Sequence, residues 1–310
     1  MRRDLSRRAF LERAACAGAL LAVARPAAAA DGMYVSLNGS LTRQMPWPDF
    51  VRLAGKLGYG GVDVNFNAAK TDGVDATRAL LKEANVKPAV ANLPLPFATP
   101  DEAAFQNGLK LLDENAQFAA AIGLNRMMAV MSPASPVPKD ERYKFVKDRV
   151  TAIAAVLERS KIRLGLEFLG PVYFRSNEKS PHTFIYTLPE TVALAAECGP
   201  NIGVVLDAWH WYHSRGTAAE IVAAGKSRIV HVHLSDAKPA PPEEVRDNQR
   251  HMPGEGVIDL VGFFQALKQI GYVDGVSPEP LGRVPADMPA EEGARLGLET
   301  TLAVMKKAGV

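Results

Sequence analysis

Short apolar runs alternate with longer segments of helical period from Met33 to the end of the chain. The short runs are rich in Val, Ile and Leu, and the longer segments repeat apolar residues every three to four positions, as an amphipathic helix does. The apolar runs predict eight strands, at 34–38, 61–66, 88–93, 126–131, 162–168, 202–207, 229–234 and 275–279. The segments of helical period predict eight helices, near 48–57, 75–84, 101–121, 140–159, 189–198, 217–225, 259–270 and 290–307.

This alternation favours a parallel sheet, because each parallel connection needs a crossover helix. Eight such units are the number that closes a barrel, and about 250 residues are enough to form one. A doubly wound open sheet is the alternative, but no Gly-x-Gly-x-x-Gly follows the first strand. No linker divides the chain after residue 30. The pattern therefore predicts an α/β protein with a single (β/α)8 TIM barrel over residues 31–310.

Residues 1–30 have a different character. Four arginines among the first eight residues precede an apolar stretch at 14–24, and small residues follow up to Ala30. This order is typical of a secretory signal peptide, and the stretch is too short for a membrane-spanning helix. The segment 6–11, Ser-Arg-Arg-Ala-Phe-Leu, resembles the twin-arginine motif, with an ordinary secretory signal or a frayed basic terminus as the alternatives. We predict export through the twin-arginine translocon to the periplasm or cell exterior, without a stable membrane anchor.

Removal of residues 1–30 changes the charge of the protein. The full chain has 36 Lys and Arg against 34 Asp and Glu, and the segment 1–30 contains six of the former and two of the latter. The remaining 30 basic and 32 acidic residues give a net charge of −2, so no nucleic-acid partner is expected. Cys198 is the one cysteine after residue 30, which excludes a disulfide within the exported chain. Assembly of the protein into a homo-oligomer is compatible with the sequence.

Four predicted strands end in a residue that can bind metal. Strands five to eight end in Glu167, Asp207, His233 and Glu279. The C-terminal ends of the strands of such a barrel face one cavity, where catalysis takes place. A single carboxylate there is usually a salt-bridge partner, but four such groups together are best neutralised by a cation. Three carboxylates and one imidazole favour Mn²⁺ or Mg²⁺, with Co²⁺ or Zn²⁺ as alternatives.

The same region contains a set of motifs. Glu ends strand five, Asp-x-x-His begins at Asp207, His-x-His ends strand seven, Arg-x-x-Pro-Gly-x-Gly begins at Arg250, and Glu ends strand eight. Together they resemble the xylose-isomerase-like sugar isomerase/epimerase superfamily, over essentially the whole chain after residue 30. The resemblance implies a (β/α)8 barrel with one divalent metal, held by the four strand-end residues Glu167, Asp207, His233 and Glu279.

The resemblance also implies roles for individual residues. Glu167 and Glu279 would form the acid/base pair that flanks the substrate carbon, while His210 and Arg250 would hold substrate oxygens. The implied reaction is proton abstraction next to a carbonyl through an enediolate, in which one carboxylate removes the proton and the other returns it. Two further residues, Trp209 and Asn38, are candidates for substrate contact because they lie at or just beyond strand ends. Trp209 either stacks on a sugar ring or packs at the rim, and Asn38 either contacts substrate or caps the backbone, as do Asp63 and Asn92 at the next two strand ends.

The substrate class is narrowed by one departure and by the predicted export. Ketose 3-epimerases of this superfamily have a second Glu six residues after the strand-five Glu, where this chain has Tyr173. Sugar phosphates are scarce outside the cytoplasm, so we expect a metal-dependent isomerase or epimerase of a free sugar or keto-sugar. The alternatives are a lyase or hydrolase of keto-glycosides with the same site and a non-catalytic periplasmic sugar binder. A phosphodiesterase like endonuclease IV is disfavoured, since strands two and three end without His.

Overall fold

Eight short strands form the centre of the protein. The structure is a computed structural model that describes residues 32–43 and 45–310, so the predicted signal peptide lies outside the described residues. The strands are β1 (Tyr34–Leu37), β2 (Gly61–Asp63), β3 (Lys87–Asn92), β4 (Arg126–Met131), β5 (Arg163–Phe168), β6 (Ile202–Asp207), β7 (Ile229–Leu234) and β8 (Gly275–Pro278).

Every neighbouring pair of these strands is parallel, and the sheet is closed. Each strand pairs with its neighbours in chain order, and β1 pairs with both β2 and β8. This topology confirms the predicted α/β class and the (β/α)8 barrel. Among the described residues, none of the helices is both long enough and apolar enough to span a bilayer.

In the described part of the chain, ten α-helices connect or follow the strands. They are α1 (Trp47–Leu57), α2 (Phe66–Asp72), α3 (Val74–Ala84), α4 (Glu102–Ala121), α5 (Lys139–Arg159), α6 (Leu188–Cys198), α7 (Ala208–His213), α8 (Ala218–Ala224), α9 (Leu260–Gln269) and α10 (Ala290–Ala308). Eight of them match the predicted helices to within one residue at each end. The short helices α2 and α7 were not predicted, nor was a two-stranded ribbon formed by Ala134–Ser135 and His182–Thr183.

The predicted strand 61–66 is wrong in its second half. The strand ends at Asp63, and the side chain of Asn65 accepts a hydrogen bond from the Ala68 amide at 3.2 Å, which caps α2. An Asn at this position satisfies one of the amides that a helix start leaves without a partner. The strand therefore ends three residues earlier than its apolar pattern suggested.

Alternation along the strands decides which side chains reach the inside of the barrel. In β5, the side chains of Leu164, Leu166 and Phe168 are fully buried against the surrounding helices. Gly165 and Glu167 lie between them on the inward face, since successive side chains of a strand point to opposite faces. A Cβ on Gly165 would lie 2.7 Å from a methyl group of Val205, so the narrow interior at this level requires glycine.

Candidate metal centre

The ends of β5 to β8 bring the four predicted ligand residues together. Each of Glu167, Asp207, His233 and Glu279 offers one oxygen or nitrogen atom, and these atoms all lie within 4.8 Å of one another. Asp207 pairs with His233 in the sheet register, and the amide of Glu279 donates to the Leu234 carbonyl at 2.7 Å. The cluster that the strand-end pattern predicted is therefore present as a constellation of donor atoms.

His233 lies between two carboxylates. Its Nδ1 atom is 2.9 Å from Glu167 Oε1 and 3.5 Å from Glu279 Oε2, and its side chain is 2% exposed. Burial lowers the pKa of His233, but the charges of Glu279 and Glu167 outweigh it and raise this pKa to about 10. The site thus stabilises a positive charge at Nδ1 strongly. That preference, in a set of three carboxylates and one imidazole, fits a divalent cation.

Glu279 is the ligand candidate with the most open side chain, at 19% exposed. Burial raises the pKa of this carboxyl group to about 7, against the opposing charges of His233 and Arg250, while the neighbouring Glu167 and Asp207 raise it further. A carboxyl group whose pKa lies near neutrality can both accept and release a proton under physiological conditions. Glu279 is therefore suited to acid/base chemistry.

Asp207 is held more tightly than the other carboxylates. Its Oδ1 atom accepts the amides of Trp209 and His210 at 2.7 and 3.0 Å, which caps α7, and its Oδ2 atom accepts from Arg250 Nη1 at 2.7 Å. Burial raises the pKa of Asp207, but Arg250 and His210 outweigh it, so this pKa is lowered. A carboxylate has about four acceptor positions, so the one that is left, on Oδ2, would hold a metal through a single oxygen.

Arg250 lies behind the ligand residues, with 1% of its side chain exposed. Besides Asp207, its guanidinium bonds Glu279 Oε2 at 3.2 Å and, through Nε, Asp247 Oδ1 at 2.8 Å. Its Nη2 atom lies 3.2 Å from Nε2 of His210, whose pKa burial lowers to about 3, so the neutral ring accepts this hydrogen bond. Arg250 therefore fixes two of the candidate ligands by direct contact.

The predicted substrate-binding residues separate into two groups. Asn38 lines the cavity above the cluster, where it also caps the following turn through the Ser40 amide. Trp209, His210 and Arg250 are not among the residues that line this cavity, and each is at most 2% exposed. The Trp209 ring instead packs 4.8 Å from the Arg250 guanidinium carbon. These three side chains support Asp207 from behind.

Asp63 is the centre of a hydrogen-bond network beside His233. Its carboxylate accepts from Ser36 Oγ at 2.8 Å, from Ser277 Oγ at 2.7 Å and from Asn38 Nδ2 at 2.9 Å. Because Ser277 uses its hydroxyl proton on Asp63, the 2.8 Å contact with His231 Nε2 makes His231 the donor. A second group of metal-capable atoms exists here, from Asp63, His231 and His233. The two hydroxyls occupy the Asp63 oxygen nearest to His231, so this group serves as a hydrogen-bond network.

A residue that the sequence pattern did not single out, Asp236, shapes the loop that follows β7. Its carboxylate is 1% exposed and accepts four backbone amides at 2.8 to 3.0 Å, from Ala237, Gly254, Gly256 and Ile258. A Cβ on Gly256 would collide with the Ala237 carbonyl. The Pro-Gly-x-Gly motif therefore supplies free amides and close backbone approach, and it is the sequence signal that could have pointed to an acceptor near this loop.

A cavity of about 690 Å³ opens above the cluster. Glu167, His233, Glu279 and Asp63 line one side of it. Of the described residues that line it, Arg43 is the one Lys or Arg, and its guanidinium donates to the Val284 carbonyl at 3.1 Å. The two candidate acid/base carboxylates therefore reach a space that can admit a small molecule.

Comparison with known proteins gives the family. A sequence model described as "Xylose isomerase-like TIM barrel" matches residues 51–304. The chain belongs to this family. Two curated relatives of this family member are sugar isomerases or epimerases by name. The inosose isomerase of Bacillus velezensis is 27% identical over 227 residues, which is 72% of this chain and 77% of that protein. The L-ribulose-5-phosphate 3-epimerase UlaE of Escherichia coli is 26% identical over 278 residues, 85% and 92% of the two chains.

A solved structure supports the same fold. It is the structure of the IOLI protein with a binding zinc atom, which superimposes with a TM-score of 0.75. The two sequences are 23% identical, and the match covers 89% of this chain and 99% of that one. At this identity the likeness shows the fold. The family and its named members together support an isomerase or epimerase that acts on a small carbohydrate, with a candidate metal site at the mouth of the barrel.

Proposed function

We propose that this family member is a divalent-metal-dependent isomerase or epimerase that moves a proton on a carbon next to a carbonyl group. The observation that carries the proposal is the cluster of Glu167, Asp207, His233 and Glu279 at the mouth of the barrel, three of which line an open cavity. The activities named for the relatives from Bacillus velezensis and Escherichia coli belong to the same reaction class.

The proposed mechanism uses the two glutamates as the proton carriers. A divalent ion held by Glu167, Asp207, His233 and Glu279 would supply positive charge for the oxygen of the substrate carbonyl, which lowers the cost of removing the neighbouring proton. Glu279, the most open of the four side chains, takes up a proton from the carbon or returns one. Glu167, on the other side of His233 Nδ1, serves the opposite step. Arg250 keeps Asp207 and Glu279 in place during both steps.

Mn²⁺ is the metal that we propose for this site. Three carboxylates and one imidazole are an oxygen-rich set, whereas dedicated zinc sites usually contain more His or Cys. The zinc atom named for the IOLI structure makes Zn²⁺ the main alternative. Affinity alone favours Zn²⁺ over Mn²⁺ for most sites, so the comparison of the two ions has to use activity as well as binding.

An uncharged sugar or keto-sugar is the proposed substrate. A phosphate group is usually held by several cations or by a helix N-terminus. The described lining of the cavity offers one guanidinium, on Arg43, against the carboxylates of Asp63, Glu167 and Glu279. The volume of about 690 Å³ also favours a second candidate reaction, the elimination of a leaving group from a keto-glycoside after the same proton abstraction.

We also propose export by the twin-arginine route, on the basis of the motif at residues 6–11. Replacement of Arg7 and Arg8 by Lys is expected to retain the protein in the cytoplasm, as measured by fractionation of cells that express the full chain. The matched control replaces Arg2 and Arg3 by Lys and is expected to leave export intact. Equal export of all three proteins would contradict the proposal.

The proposed reaction is tested by proton exchange with solvent. Purified protein with Mn²⁺ is incubated with keto-sugars in deuterated water, and the deuterium at the carbon next to the carbonyl is followed by NMR. We expect exchange that stops on addition of a chelator and returns with Mn²⁺. Exchange that is insensitive to the chelator would contradict the proposed role of the metal.

A further inference from the structure

One wall of the cavity is apolar up to the candidate metal centre. Val130 on β4 pairs in register with Glu167 on β5, and half of the Val130 side chain is exposed. Below it on the same strand, Met128 also lines the cavity. Strands β5, β7 and β8 present charged groups at this level, whereas the amides of Asn38, Asn65, Asn67 and Asn92 and the carboxylate of Asp63 line the cavity beyond the ends of β1 to β3.

Aromatic residues extend this wall outward from the strands. Trp47 and Phe50 lie at the start of α1 with their ring centroids 6.1 Å apart, and Phe66 at the start of α2 packs edge-on against Phe118 at 5.6 Å. All three cavity-lining rings are at least 94% buried, so packing against the barrel holds them in place. We call the following side chains the apolar wall: Met45, Trp47, Phe50, Phe66, Leu93, Met128 and Val130.

The size and the chemistry of the cavity exceed what a simple sugar uses. Its volume of about 690 Å³ lies within the roughly 300–1,000 Å³ of sites that bind drug-sized molecules. A monosaccharide is smaller and carries a hydroxyl group on nearly every carbon. Hydroxyls that face Met128 and Val130, away from the amides and carboxylates of the lining, would lose water without gaining a partner, which is unfavourable.

We propose that the substrate is a sugar that carries an apolar substituent, such as the aryl group of a glycoside. The substituent lies against the apolar wall, and the sugar ring lies between this wall and Glu279. Val130, next to Glu167, contacts the junction of the two parts. This inference rests on the proposed function, because it assumes that the sugar portion faces the candidate metal centre.

The test is equilibrium binding, which does not depend on turnover. Binding of phenyl β-D-glucopyranoside and methyl β-D-glucopyranoside to the Mn²⁺-loaded protein is measured by titration calorimetry. We expect the phenyl glycoside to bind about tenfold more tightly, the gain from burying about 55 Å² of additional apolar surface. Equal affinities, or no binding of either probe, would overturn the proposal.

A matched pair of variants locates the substituent. Val130→Thr keeps the branched shape that a strand favours but adds a hydroxyl group to the wall, and it is expected to reduce the phenyl preference to about threefold. Val257, on a loop outside the cavity, is 46% exposed, and Val257→Thr is expected to keep the full preference. A preference that Val130→Thr leaves unchanged contradicts the assigned wall. A phenyl preference without any proton exchange would overturn the proposed reaction and leave the binding proposal intact.

Discussion

At the scale of single residues, Arg250 contacts carboxylates in the structure, whereas its motif implied a contact with substrate. The resemblance assigned it to substrate oxygens, yet its guanidinium is buried between Asp207, Asp247 and Glu279. A guanidinium is suited to this position because its fixed donors can bond several carboxylates at once. Arg250 thereby offsets the repulsion among carboxylates that the metal would otherwise have to overcome alone.

Arg250→Met is therefore expected to destabilise the protein itself. Loss of the guanidinium leaves buried carboxylates without a partner, which lowers the free energy of unfolding by about 3–5 kcal/mol. Urea unfolding in the presence of a chelator measures this loss. Saturating Mn²⁺ is expected to restore part of the stability, since the ion neutralises Asp207 and Glu279.

Arg283→Met is the control for this change. Arg283 bonds Glu255 at 3.0 Å, but both side chains are about one third exposed, so its loss should cost at most about 1 kcal/mol. If Arg250→Met unfolds like the wild type and only raises KM, Arg250 binds substrate as the motif implied.

The residue scale also shows what the sequence could predict of the site. Glu167, Asp207, His233 and Glu279 could be predicted to meet because each ends a strand, and the closure of the barrel determines where strand ends lie. His210 lies on the short helix α7 and Arg250 on the loop after β7, so their positions depend on the paths that the chain takes after β6 and β7. No periodicity encodes those paths, so burial of both side chains behind Asp207 could not be predicted.

At the scale of elements, the loop after β7 is organised by Asp236. Its carboxylate collects four backbone amides, two of them from the glycines of the Pro-Gly-x-Gly motif. Gly254 also has a φ of 85°, a conformation that residues with a Cβ rarely adopt. Arg250 lies in the same loop, directly before His251, whose backbone pairs with that of Asp236, so this buried acceptor helps to position the guanidinium.

Asp236→Asn is expected to loosen this loop. The amide group of Asn would face backbone N–H groups with its own N–H groups, so about half of the four bonds are lost, at a cost of about 3 kcal/mol. Hydrogen–deuterium exchange measured by mass spectrometry should show faster exchange in 251–258, with the rest of the barrel unchanged.

Asp259→Asn is the matched control for the loop. Asp259 caps α9 through the Gly262 amide at 2.9 Å, and Asn caps helices as well as Asp does. Its loop should exchange as in the wild type. Wild-type exchange of 251–258 in Asp236→Asn would show that other contacts hold the loop.

The two short helices that the sequence analysis did not predict, α2 and α7, were missed for the same reason. Helices α2 and α7 each begin directly after a strand and are capped by a polar side chain, Asn65 and Asp207. At Asn65 the apolar alternation continues to Phe66, which resembles a longer strand. At Asp207 the cap is also a strand end and a candidate ligand. Both helices are short, at seven and six residues, and at most two residues separate each from its strand, unlike the equally short α8, which was predicted.

At the scale of the whole molecule, stabilising contacts and the candidate site lie at opposite ends of the barrel strands. At the N-terminal ends of the strands, Arg126 and Asp274 join β4 to the segment before β8 at 2.6 Å. At the C-terminal ends, the candidate ligands face a cavity that apolar side chains and Asn amides also line. The repeated strand–helix pattern predicted this architecture, whereas the shape of the cavity depends on loops that the pattern does not describe.

The proposed function depends most on Glu279, which we propose moves a proton of the substrate in a metal-dependent site. The most direct measurement is the rate of deuterium incorporation at the carbon next to the carbonyl, in Mn²⁺-loaded wild type, Glu279→Gln and Glu197→Gln. Glu197 is a surface carboxylate bonded to Lys147, so its variant is the control. We expect a loss of at least about 100-fold for Glu279→Gln alone, the scale of general acid–base catalysis. Exchange at the wild-type rate in folded, Mn²⁺-loaded Glu279→Gln would contradict it.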